Sequence, residues 1–221
     1  MRKGFTLLEI GIGLVVIGLC VGLVIISQSF LASSRIKSFV RDIQSYDMAV
    51  VNFYGKYKQL PGDSNIVEPH GNKNGKITDS VDGGVDVCGQ EECEEPMFFW
   101  FQLSELAMIN HPYNHDFANN MKPQTNVPNV TIGTYQDGLY VGYNAEDEGI
   151  LGAIGNFYDI GGSKEIKMID VIAIENKLDD GSPSTGIIRA VDNADEECTI
   201  DSVGGVCSNL YITIGGRTGI N

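Results

Sequence analysis

Positive charge is scarce in this chain. Fifteen Lys and Arg stand against 29 Asp and Glu in 221 residues, a formal net charge of −14. So acidic a balance argues against nucleic-acid binding, where cationic side chains must neutralise phosphates, and no nucleic-acid partner is expected. It suits solubility and the binding of hard cations. Histidine is scarcer still, at three residues. His70, His111 and His115 form no metal set, because Pro112 and Asn114 interrupt any rigid helix between the last two. No nucleophile–histidine–acid grouping and no glycine-rich phosphate loop occurs, so the sequence offers no support for an enzyme. Prolines are few, at seven, which excludes a collagen-like chain or a plain disordered polymer. The length fits one globular domain with an appendage.

Charge of either sign is absent from residues 10–34, and nearly all the acidic residues lie beyond Arg41. The chain therefore reads as two objects, an apolar stalk and an acidic head. Arg2 and Lys3 precede the apolar run, which reaches about Ile26 and is long enough to cross the ~30 Å hydrocarbon core as a helix. The two cations belong on the cytoplasmic side, so the head is translocated. A secretory signal peptide would end in an A-x-A-like cleavage site beyond its apolar core. Ser27-Gln28-Ser29 is a poor substitute. Neither that reading nor a plain signal anchor accounts for Glu9, a carboxylate inside the span that is costly to insert.

The opening Gly4-Phe5-Thr6-Leu7-Leu8-Glu9 resembles the cleavage and methylation motif of type IV prepilins and type II secretion pseudopilins. The motif is short, and it is specific when it opens a chain and an apolar helix follows. The resemblance implies cleavage after Gly4 by a membrane-embedded prepilin peptidase and N-methylation of Phe5. Residues 1–4 are then a leader, 5–30 a transmembrane and filament-core segment, and 31–221 the helix continuation and head. It implies a subunit first held in a bacterial inner membrane with its head in the periplasm, then passed by an assembly platform into a pilus or pseudopilus of other pilin subunits. A minor tip subunit that binds a surface, DNA or a secreted substrate is the alternative. Glu9 has a physical role in that setting: its poorly solvated carboxylate can pair with the new Phe5 amine of a neighbouring subunit. The cut also removes Arg2 and Lys3, giving −14 − 2 = −16 for the mature chain.

Beyond the apolar run, Ile36, Phe39, Val40, Ile43, Val50, Phe53, Tyr54 and Tyr57 recur at helical spacing. Arg35, Lys37, Arg41, Asp42, Gln44 and Asp47 fill the other faces. This predicts one helix from residue 5 to about residue 58, roughly 80 Å long, stopped by Leu60-Pro61-Gly62-Asp63. Residues 52–63 resemble a group of pilin-like proteins whose helix ends before such a Pro-Gly-Asp turn. The family often places a proline near the middle of this helix, and none occurs here. Gly18 and Gly22 make a G-x-x-x-G pair, suited to close helix contact and also ordinary in a membrane helix.

In the head, residues 67–95 read as an irregular surface loop and 96–109 as a short helix. The crowded Phe98, Phe99, Trp100 and Phe101 either cover the core or present a partner-binding surface. Strands are expected at 130–135 and 139–143, joined by a Gln136-Asp137-Gly138 turn. A helix is expected at 166–178, with further strands at 186–191 and 210–214. The fold class is α+β. The resemblance implies the same class: a type IV pilin-like fold, with the long helix laid on an antiparallel sheet.

Cys20 lies in the apolar run, where it reads as a small hydrophobe. Cys88, Cys93, Cys198 and Cys207 fit two disulfides in an oxidising compartment. Local pairing, Cys88 with Cys93 and Cys198 with Cys207, is the simplest of three possibilities, and a zinc site competes weakly with it. For a cofactor, the segment Ile174-Glu175-Asn176-Lys177-Leu178-Asp179-Asp180-Gly181 is the best candidate. Carboxylates at a helix end beside a glycine turn, Asp179 and Asp180 above all, suit calcium. The same residues also read as a plain tight turn.

Overall fold

The computed structural model describes residues 6–77, 95–115, 122–133, 135–144, 155–183, 185–191, 198 and 205–214. Among them are three helices, α1 (Leu7–Tyr57), α2 (Glu95–Glu105) and α3 (Met168–Leu178). Six strands accompany them: β1 (Asn129–Ile132), β2 (Tyr135–Gly138), β3 (Tyr140–Asn144), β4 (Gly155–Lys167), β5 (Ile188–Val191) and β6 (Val206–Thr213). The class is α+β, with helices packed against antiparallel sheets.

The expected continuous stalk is present as 51 helical residues. Its start is capped by Thr6, whose Oγ1 accepts from the Glu9 amide at 3.2 Å. Its end is closed by Lys58 in the left-handed conformation (φ 58°), whose N–H reaches the Tyr54 carbonyl at 2.8 Å. The helix changes character along its length. Leu7, Leu8, Leu14, Leu19 and Leu23 are exposed, whereas Ile36, Phe39, Val40, Ile43, Val50 and Phe53 are buried against the head. The 3-4-7 spacing of that second group is what turns one face inward.

The four-stranded sheet runs β3-β4-β6-β5, all antiparallel, and a separate two-stranded sheet pairs β1 with β2. The 13-residue β4 is its longest strand. The sequence reading missed β4 because Gly161-Gly162-Ser163-Lys164 reads as a turn. In the structure the chain passes through this segment with a register shift between Gly161 and Ile166 and resumes pairing with β6.

Three expectations need correction. Gln136-Asp137-Gly138 is not a turn but part of β2: Asn129 faces Gly138 and Ile132 faces Tyr135, so the chain reverses between Ile132 and Tyr135, where Gly133 takes φ 57°. The helix expected to start at 166 starts at Met168, because Ile166 and Lys167 pair with Cys207 and Val206. The helix expected to reach 109 stops at Glu105. There Ala107 takes φ 53°, Met108 N–H bonds the Leu103 carbonyl, and Ala107 N–H bonds that of Ser104. This is a Schellman end made with alanine in place of the usual glycine, so the sequence carried no stop signal.

The core joins α1, α2, α3 and both sheets. Trp100 is fully buried at its centre. Its ring stacks on Tyr158 (centroids 5.9 Å, 21°) and meets Tyr46 of α1 edge-on at 4.9 Å. Its Nε1–H donates to the Leu139 carbonyl at 3.0 Å, which satisfies the indole.

Candidate functional site

The sequence singled out the N-terminal motif first. Gly4 and Phe5 lie outside the described residues. Glu9 is exposed on the first turn of α1, three residues after the capping Thr6. Thr6-Leu7-Leu8-Glu9 thus also has the spacing of a helix capping box, and a carboxylate at that position favours the positive end of the helix dipole. Behind it, Leu7–Val24 has a mean hydropathy of 2.6 and none of it is buried against the head. This helix is long and apolar enough to cross a membrane.

The aromatic segment resolves to the core. Phe98, Phe99 and Trp100 are buried, and Phe101 is half-buried with its ring against His115 at 4.3 Å. Three of the four rings belong to the interior, and Phe101 alone of them keeps part of its surface accessible.

The Pro61-Gly62-Asp63 turn is held by buried polar side chains. Gln102 of α2 accepts from the Gly62 amide and donates to the Ser64 and Pro69 carbonyls. The Asp63 carboxylate accepts from the amides of Asn74 and Gly75, both at 2.9 Å. Burial pushes the Asp63 pKa up, against the pull of the Gly75, Asn74 and Lys73 amides. Asn156 of β4 ties the far end, accepting from Ile77 N–H at 2.8 Å and donating to the Gly75 carbonyl at 3.0 Å. The turn itself is internal, with Asp63 and Ser64 buried; of the irregular loop expected over 67–95, residues 78–94 lie outside the described residues, and 67–77 is irregular with only Gly71 and Ile77 buried. Gly62 sits at φ 85°, and a Cβ there would meet the Glu95 carbonyl at 2.6 Å.

Of the four head cysteines, Cys198 and Cys207 form a disulfide. A disulfide sulfur is not a thiolate, so this pair is no zinc ligand set. Cys88 and Cys93 lie outside the described residues. Cys20 is a free, exposed thiol on the apolar half of α1.

At the end of α3 the structure adds a residue to the two aspartates. Glu175, Asp179 and Asp180 bring carboxylate oxygens within 4.8 Å of one another. Asp179 Oδ2 accepts from the amides of Ile187 and Ile188, which fixes it to the start of β5. Asp180 accepts from Ser182 N–H at 2.9 Å and Thr185 Oγ1–H at 2.8 Å, and these bonds lower its pKa. Glu175 differs from both. It is fully buried, and neither carboxylate oxygen has a hydrogen-bond partner among the described residues. Burial, reinforced by Asp179 and Asp180, pushes its pKa up to about 8. The Gly181 amide and the Arg189 charge temper the shift; the amide does so without meeting hydrogen-bond geometry. A buried carboxyl in this position needs a proton or a cation. The sequence reading placed its weight on the exposed aspartates, because burial of one position on a helix face is not written in local composition.

Comparison with known proteins yields nothing: no family model, no curated protein and no solved structure matches the chain.

Proposed function

We propose that this chain is a prepilin-type filament subunit, cut after Gly4 and assembled through α1. The observation that carries the reading is the division of one uninterrupted helix into two unlike halves. The second half is packed into the head. The first is apolar, exposed, and carries a single carboxylate close to its start. So large an apolar surface demands a cover. The bilayer provides one before assembly, with the head in the periplasm, and the stalks of neighbouring subunits provide another in the filament. Exchanging lipid for protein loses little apolar burial, and the pairing of Glu9 with a neighbour's Phe5 amine then sets the register. Pilus and secretion pseudopilus share this chemistry. A Glu9→Leu chain tests it: we expect processing and membrane insertion to continue and incorporation into filaments to fail. Normal incorporation of Glu9→Leu overturns the role.

The fully buried, unpartnered Glu175 favours a second reading, in which the acidic corner binds calcium. Glu175, Asp179 and Asp180 would supply part of the oxygen shell and water the remainder. The cation would hold the α3 end against β5 and keep Glu175 ionised. This reading concerns the stability of the head and stands apart from the assembly role of α1.

A further inference from the structure

A groove of about 640 Å³ lies where the head meets the stalk. Its α1 wall is formed by Leu31 to Ile36, the part of the helix nearest the apolar span that still touches the head. Opposite stand Gly133 and the α3 side, with Lys167, Ile169, Asp170 and Lys177. Two features set it apart. Ile169 is 72% exposed and Leu31 53%, an unusual outlay of apolar surface on a folded head. The charge is also reversed relative to the chain as a whole. Exposed Arg35, Lys167 and Lys177 line the groove, and its one carboxylate, Asp170, is buried. Lys37 on α1 and Glu165 on β4, two residues along the chain from Arg35 and Lys167 respectively, are both exposed. Against a formal charge of −14 for the chain, the described lining of this groove is cationic.

Its position is fixed by the helix. From Val24, the end of the apolar span, to Leu31 is seven residues, roughly 10 Å of helix. No charge intervenes between Glu9 and Arg35. If α1 crosses a bilayer, Arg35 is the first ion to emerge and the groove faces the headgroup layer. Arg35 is held there by its bond to the Gly133 carbonyl at 2.8 Å. Lys167 and Lys177 are exposed, and a lysine stem can lie on apolar surface while its ammonium group stays wet. Juxtamembrane cations of this kind are attracted to anionic lipid within about one Debye length, ~10 Å.

We propose that this groove seats anionic phospholipid headgroups of the leaflet from which α1 emerges, fixing the tilt of the head on the membrane. Ile169 and Leu31 enter the acyl boundary, and Arg35, Lys167 and Lys177 take the phosphates. The proposal rests on the reading of α1 as a membrane anchor and adds a lipid preference to it.

The test is amine acetylation of the full chain in bilayer discs, read by mass spectrometry. Phosphatidylcholine discs are compared with discs that also contain phosphatidylglycerol. Lys56 and Lys58, roughly 30 Å further along α1 from Arg35, are internal references. We expect Lys167 and Lys177 to be labelled several-fold more slowly in the anionic discs, with Lys56 and Lys58 unchanged. The difference should vanish at high salt, and Lys177→Glu should restore much of the labelling of Lys167. A chain that inserts but labels equally in both lipids overturns the proposal and leaves the anchor intact. Protection that is equal in neutral discs, or that follows the number of chains per disc, points to a second copy and overturns it too. A chain that fails to insert overturns the anchor and the proposal together.

Discussion

The Gln102 side chain closes the helix-ending turn by accepting a hydrogen bond from the Gly62 amide at 2.8 Å, while its amide nitrogen donates to the carbonyls of Ser64 and Pro69 at 3.1 and 3.0 Å. Gln102, Gly62 and Ser64 are buried, so the Gly62 N–H has no water to turn to if the amide is removed. Gln102→Leu keeps the approximate volume, leaves the buried Gly62 N–H unpaired, strips the Pro69 carbonyl of this bond, and leaves the Ser64 carbonyl with only its bond from Gly71 N–H. Its expected cost is about 2–4 kcal/mol. Denaturant unfolding followed by Trp100 fluorescence measures it, and a loss below about 1 kcal/mol would contradict the role given to this contact.

Glu175 gives the head a pH dependence of definite sign. Folding raises its pKa from the ordinary glutamate range to about 8. Between those values the folded chain binds more protons than the unfolded one, so stability falls as pH rises and is lowest above the folded pKa. Asp159, raised to about 6 mainly by burial, adds to the fall in the lower part of that window. Glu175→Gln should flatten the slope between roughly pH 6 and 8 and raise Tm at pH 8. Thermal melts across that range decide it: an unchanged slope in the variant means that Glu175 is not the titrating group.

The calcium reading makes a separate prediction on the same residue. Protons and cation compete for the Glu175 carboxylate, so added calcium should raise Tm more at pH 8 than at pH 6. Magnesium should do less, because it resists shedding its water. Glu175→Gln and Asp180→Asn should both remove the calcium response. A Tm that is indifferent to calcium at pH 8 removes the cation and leaves a buried acid that is simply protonated.

The Cys198–Cys207 bond ties β6 to the segment that follows β5, across nine residues of sequence separation. Cys207 is fully buried. Cys207→Ala should lower stability by about 2–3 kcal/mol, through a freer unfolded chain and the loss of packing around the sulfur. Denaturant midpoints of the variant and the parent under oxidising conditions test this. Equal midpoints would mean that the bond does not form.

How far the sequence could be read depended on how far each signal reached along the chain. The stalk was legible to within about two residues because apolar spacing over residues 36–57 and the Pro61 stop act locally. β5 was legible to within two residues, and of β6 the second half was, its first four residues Val206 to Asn209 being missed. The 13-residue β4 was not, because its glycines read as a turn while its pairing partners, Tyr140 to Asn144 and Val206 to Thr213, lie far off in sequence. The end of α2 was missed because Ala107 adopts a conformation that local composition favours for glycine. At the acidic corner, Asp179 and Asp180 were visible as a charged turn. What makes the corner unusual is the burial of Glu175, and that follows from how α3 packs among α1 and the strands of the sheet rather than from any motif.

The first residues carry the whole assembly role proposed for the chain. In the proposed reading, cleavage after Gly4 makes Phe5 the mature start, supplies the amine for Glu9 to pair with, and removes Arg2 and Lys3, the two cations ahead of the apolar run. Intact-mass and N-terminal peptide mass spectrometry of the chain isolated from its native membrane or filament test this most directly. The account predicts a chain that begins at Phe5 and carries an N-methyl group. A chain that retains Met1, Arg2 and Lys3 would contradict it.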